Sequence, residues 1–114
     1  MTNLEIPPCG PERDRLVAEA VGWDERPTLR GEVPRAFEHG YGYRYPSSDD
    51  PDALAALKAW KEQEIGRHVT VDIGHCVHVC LYEPDRFSAF GQAPTLAGAA
   101  TAALVRWRNE RRAT

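Results

Sequence analysis

The stretch from His68 to Glu83 constrains the fold more than any other part of the chain. Val69, Val71 and Ile73 alternate with His68, Thr70 and Asp72, and Val77, Val79 and Leu81 alternate with His78, Cys80 and Tyr82. A period of two belongs to strands, and Gly74-His75-Cys76 between the runs makes them a hairpin over 68–83. The register follows from the faces. A two-residue turn at Gly74-His75 would set Val71 opposite His78, mixing apolar and polar side chains. A three-residue loop pairs Ile73 with Val77, Val71 with Val79 and Val69 with Leu81, so that all six aliphatics share one face. The other face then carries the pairs His68–Tyr82, Thr70–Cys80 and Asp72–His78.

Three helices are expected around this hairpin. The first covers 11–21: Pro11 suits a first turn, Glu12 and Asp14 sit at the positive end, and Leu16, Val17, Ala20 and Val21 form the apolar face. Gly22 is its stop, with Trp23 folding back. The second covers 51–64, with Asp50 as N-cap, Pro51 first, Leu54, Leu57, Trp60 and the stem of Lys61 buried, and Gly66 closing it. The third covers 95–111 behind a Thr95 cap, with Leu96, Ala100, Ala103, Leu104 and Trp107 on one side. Its opening run, Ala97 to Ala103, is almost entirely small, which allows close approach to a sheet or a partner.

Residues 24–38 read as loop with a short strand near 29–33. Residues 39–45 read as a strand with Tyr41, Tyr43 and Tyr45 on one face, ended by Pro46 or left at a sheet edge. The resulting order is αβαββα: an α+β domain over 1–114 with a three-stranded antiparallel sheet and three helices, residues 1–10 being disordered or loosely packed. The 114 residues suit one core of this kind.

Charge and cysteine content narrow the function classes. The net charge is −3, and Arg106, Arg108, Arg111 and Arg112 against Glu110 make the tail basic over an acidic body. That balance argues against duplex nucleic acid as partner. No apolar run is long enough to span a membrane and no leader-like segment opens the chain, while three cysteines in such a context suggest reduced thiols in a cytoplasm.

Four stretches carry a likeness to a known family. They are Leu16-Val17-Ala18-Glu19-Ala20-Val21-Gly22-Trp23, Tyr45-Pro46-Ser47-Ser48-Asp49, the helix from Ala53 to Trp60, and Ala93-Pro94-Thr95-Leu96-Ala97 entering an alanine-rich helix. In this order, over roughly 13–107, the chain resembles the phage ABA sandwich domain family. It departs from that pattern in an extra aspartate after Asp49 and in the lack of a cysteine early in the last helix. The resemblance implies an α/β sandwich encoded by a phage or prophage and acting in a bacterial cytoplasm. It implies no activity and brings no catalytic residues.

The chemistry-bearing groups form two sets. His75, Cys76, His78 and Cys80, near His68 and Asp72, are zinc-type ligands, but a structural zinc site needs a second ligand pair that Cys9 and His39 do not make. A nucleophilic set of Cys80, His78 and Asp72 lacks an oxyanion site, and residues i and i+2 of a strand are poorly placed for proton transfer. Phosphate-loop, dinucleotide and metalloprotease motifs are missing, so neither a catalytic residue nor a cofactor is expected. Tyr41, Tyr43, Arg44 and Tyr45 make an aromatic-basic strand which, with Asp72 and His78, is a candidate ligand surface. The expected function is non-enzymatic binding of a host or phage protein. The alternatives are binding or sequestering of a small nucleotide-like signal, and a zinc-stabilised domain. The strand edge at 39–45 and the small-sided last helix are candidate contacts for a homodimer.

Overall fold

The structure, a computed structural model, describes residues 6–26, 35–37 and 43–113. Its elements are α1 (Pro11–Val21), β1 (Asp24–Arg26), β2 (Arg35–Phe37), β3 (Tyr43–Arg44), α2 (Asp50–Glu62), β4 (His68–Ile73), β5 (Val77–Glu83), β6 (Arg86–Ala93) and α3 (Leu96–Ala113). The fold is α+β, with three helices and antiparallel sheets, as the sequence predicts. The described strands form two three-stranded sheets, β1-β2-β3 and β4-β5-β6. The order therefore departs from αβαββα. The strand at Tyr43–Arg44 does not join the hairpin, whose third strand is β6. Residues 24–38 are not loop throughout, because Asp24–Arg26 pairs with Arg35–Phe37. The strand expected near 29–33 and most of the one expected at 39–45 lie outside the described residues; of the latter, Tyr43 and Arg44 form β3.

The hairpin has the predicted register pair for pair, from His68–Tyr82 to Ile73–Val77. β6 adds Ala93, Gly91 and Ala89 opposite Val77, Val79 and Leu81 on the inner face. This small-residue strand lets α3 come close. α3 packs on β5 and β6 on one side and on α1 and α2 on the other. Enclosed on both sides, it is buried all round from Ala97 to Val105. The small residues of its first turns thus face the interior of the fold and are not exposed to a second copy. Thr101, fully buried, satisfies its hydroxyl by donating to the Ala97 carbonyl at 2.7 Å.

Capping fixes where the helices begin and end. Gly22, at φ 82°, ends α1, and the amides of Gly22 and Trp23 both return to the Ala18 carbonyl. Trp23 is buried, as expected from its fold-back. The N-cap of α2 is Asp49 rather than Asp50: its carboxylate accepts from the Asp52 amide at 3.1 Å. Asp50, freed from that duty, accepts from the Ala97 amide at 2.9 Å and so caps α3 together with Thr95, whose hydroxyl takes the Gly98 amide. Asp50 thus ties two helix starts together.

The buried face of α2 consists of Ala53, Ala56, Leu57 and Trp60, while Leu54 is half exposed and Lys61 exposed. The Leu54–Lys61 stripe is corrected accordingly by a rotation of the helix toward its alanines. Of residues 1–10, expected to be disordered or loosely packed, the described part, 6–10, makes contacts with the rest of the fold. Ile6 packs on the core, the Gly10 amide donates to the Ser47 hydroxyl, and the Pro7 carbonyl accepts from Arg13.

Candidate functional site

The inner face of β4-β5-β6 is closed in large part by α3; no described element covers the outer face. Three cross-strand rows run over it: His68–Tyr82–Phe87, Thr70–Cys80–Phe90 and Asp72–His78–Gln92. All three rows begin with pairs of the predicted hairpin and are extended by β6. The ring of His68 stacks on Tyr82 with centroids 4.5 Å apart and planes 4° apart, and Tyr82 meets Phe87 edge to face at 5.7 Å. Phe87 and Phe90 are 52% and 41% exposed and lie on the same face, so they add two aromatic rings to the solvent-facing surface. The Arg106 guanidinium sits over the Phe90 ring at 5.3 Å and donates to the Phe90 carbonyl.

Phe87 and Phe90 share this face although they are three apart in sequence. The ladder shifts at Leu81 and Tyr82: Leu81 opposes Ala89 while Tyr82 opposes Phe87, leaving Ser88 as an extra residue. The bulge re-aims Phe87 outward and turns the Ser88 hydroxyl to Glu83, to which it donates at 2.5 Å. Sequence reasoning missed both phenylalanines for this reason. The signal was the turn at Pro84-Asp85 after a confirmed strand.

Glu83 is the centre of a polar cluster at the end of this sheet. It also accepts from Arg86 and Arg111 and lies 3.6 Å from Arg67. Burial by itself pushes the Glu83 carboxyl up; hydrogen bonds from Ser88 and Arg86 and the charge of Arg111 outweigh it and hold it below the usual carboxylate range. The Arg67 side chain is only 4% exposed. Its guanidinium lies 4.5 Å from the Trp60 ring centroid and 4.9 Å from that of Trp107, and it donates to the Trp60 carbonyl and Gln63. Desolvation lowers its pKa, partly offset by Glu64 and Glu83, and it stays a cation. Arg111 covers Trp107 at 4.8 Å. A cleft of about 340 Å³ opens here between Arg86, Phe87, Ser88, Trp107, Glu110 and Arg111.

The ligand surface proposed from sequence is divided between the two sheets. Arg44 pairs with Asp52 at 3.0 Å, and the Tyr45 amide donates to the same carboxylate, so Asp52 pins β3 to the first turn of α2. Tyr43 lies in β3, and Tyr41 is outside the described residues. Asp72 and His78 are cross-strand partners on the other sheet. The His78 ring contacts the Cys76 thiol at 3.4 Å rather than Asp72, and Gln92 donates to the same sulfur. His75 is exposed in the hairpin loop, and Cys80 lies between Thr70 and Phe90. Among the described residues no three His, Cys, Asp or Glu side chains converge to hold a metal, so His75, Cys76, His78 and Cys80 do not form a centre by themselves. No helix among those residues is long and apolar enough to cross a membrane.

Set against known proteins, the chain matches no family model, no curated protein and no solved structure.

Proposed function

We propose that this chain is a non-enzymatic binding protein, an accessory protein of a phage or prophage as its four-stretch resemblance implies, working in a bacterial cytoplasm. Its recognition surface is the outer face of β4-β5-β6, and its partner is a protein. The supporting observation is the aromatic row His68–Tyr82–Phe87 with Phe90 beside it, on the uncovered face of the sheet and flanked by Arg106. Aromatic and arginine side chains dominate protein interfaces because they bury large areas with few rotors to freeze. A photoreactive phenylalanine at position 90, illuminated in extract of the producing cell, is expected to give one defined adduct. Phe87→Ser should remove it, and the same label at Lys58 should not produce it. Equal labelling from both positions would overturn the reading.

A second reading rests on the cleft beside Phe87. The rings of Phe87 and Trp107 and the guanidiniums of Arg86 and Arg111 that line it suit a small nucleotide-like anion. This keeps the small-ligand alternative but moves it away from Tyr41, Tyr43, Arg44 and Tyr45. A melting-temperature rise with nucleotides that Arg86→Ala removes supports it; no rise with any of them refutes it.

A further inference from the structure

We propose that β4 is the pairing edge of a homodimer: a second copy of this chain adds its own β4 antiparallel, with Thr70 on the two-fold axis. Two three-stranded sheets then become one continuous sheet. β4 pairs with β5 on one side, and among the described residues no strand occupies its other edge. The two edges of this sheet differ in a telling way. β6 carries Arg86 and the bulge at Ser88, devices that discourage a further strand. β4, His68-Val69-Thr70-Val71-Asp72-Ile73, contains no lysine, no proline and no shift in register. It is a straight edge, open for pairing.

Its inner face is also incompletely covered. Val71 is 41% and Ile73 75% exposed, and Leu54 of α2 beside them is 50% exposed. A groove of about 460 Å³ runs between α2 and β4; Leu54, Leu57, Val69 and Val71 give it an apolar wall, and Lys58, Lys61 and Glu62 of α2 line the rest. An apolar surface next to an unpaired edge gains from burial and from ladder hydrogen bonds in one event.

The sequence of β4 selects a second copy of itself as occupant. A two-fold axis normal to the sheet keeps inner faces with inner faces, so the axis must pass through a residue and not between two. On Thr70, it sets Val69 against Val71 of the second copy on the inner face. On the outer face it sets His68 against Asp72 of the second copy, twice. The imidazole donates a hydrogen bond or a charge to the carboxylate in both pairs. An axis on Val71 would instead leave His68 opposite Gly74 and Asp72 opposite Thr70. Charge complementarity thus favours Thr70. This inference does not rest on the outer-face phenylalanines.

Sedimentation of the full tag-free chain tests it. Wild type is expected as a dimer at micromolar concentrations. Val71→Lys, at a position already exposed in the monomer, is expected as a folded monomer by circular dichroism. Should that variant not fold, Asp72→Lys on the exposed outer face replaces it, with the same expectation. In a Cys9→Ser, Cys76→Ser, Cys80→Ser background, Thr70→Cys should give a disulfide-linked dimer on oxidation and Asp72→Cys should not, since only residue 70 faces its own copy. Phe87→Ser should leave the dimer intact. A wild-type monomer, a dimer that survives both lysine variants, or a dimer without the Thr70→Cys cross-link would overturn the proposal.

Discussion

Gly91 of β6 lies directly on the backbone of α3 at Ala99. A Cβ placed on Gly91 would come within 2.1 Å of the Ala99 carbonyl oxygen and 2.6 Å of the Ala103 amide nitrogen. Both atoms belong to a helix enclosed on its far side by α1 and α2, so neither can give way. This contact sets the spacing between the sheet and the helical layer, and the small residues at Ala99, Ala102 and Ala103 make it attainable.

Gly91→Ala should therefore be among the most damaging single-methyl additions in the chain. Overpacking in a closed core costs about 1–3 kcal/mol, and a clash with backbone on a rigid element belongs at the upper end. We expect a loss of roughly 3 kcal/mol in urea unfolding. Gly74→Ala, where a Cβ meets nothing within 4 Å, is the control and should cost far less. Equal effects of the two would show that the sheet and α3 can move apart.

Asp49 and Asp50 are adjacent carboxylates serving different helices. Asp49 caps α2, whereas Asp50 holds the Ala97 amide at the start of α3. Each change to alanine removes one cap, at about 1 kcal/mol. Because Asp50 acts across 47 residues of chain, its loss should free the start of α3. Amide exchange at Ala97 should quicken in Asp50→Ala and stay slow in Asp49→Ala. Slow exchange in both would remove Asp50 from this role.

How much of this was legible in sequence depends on how local each cause is. The hairpin register was readable because six aliphatics alternate within sixteen residues and only one loop length puts them on one face. The start of α2 was missed by one residue because neighbouring aspartates are equivalent until the position of α3 is known. The face of α2 was misjudged because Ala53 and Ala56 carry the burial, and alanine contributes little to an apolar pattern. β6 escaped because its bulge breaks the period of two between Phe87 and Phe90. Of the site, the rows on β4 and β5 were legible. The convergence of Trp60, Arg67, Glu83 and Trp107 was not, since it joins residues distant in sequence through packing alone.

That last cluster gives stability a dependence on pH. Glu83 is one of two carboxylates facing the buried Arg67, the other being Glu64 at 3.4 Å, and has Arg86, Arg111 and Ser88 around it. Its pKa is lowered in the fold, so the folded state favours the ionised form. Its contribution is fully present above the unfolded glutamate pKa, about 4.3, and is lost as pH falls through the lower folded value. Glu83→Gln removes the charge at every pH and leaves Glu64, at 3.4 Å, as the remaining carboxylate on the buried Arg67. The charged hydrogen bonds that Glu83 accepts are then weakened, at a cost of roughly 2 kcal/mol. Urea unfolding at neutral pH should show the variant weaker by about that amount. In increasingly acidic buffers wild type should lose stability more steeply than the variant, and the gap between them should close. A gap that stays constant into acid would mean that Glu83 acts through its shape and not its charge.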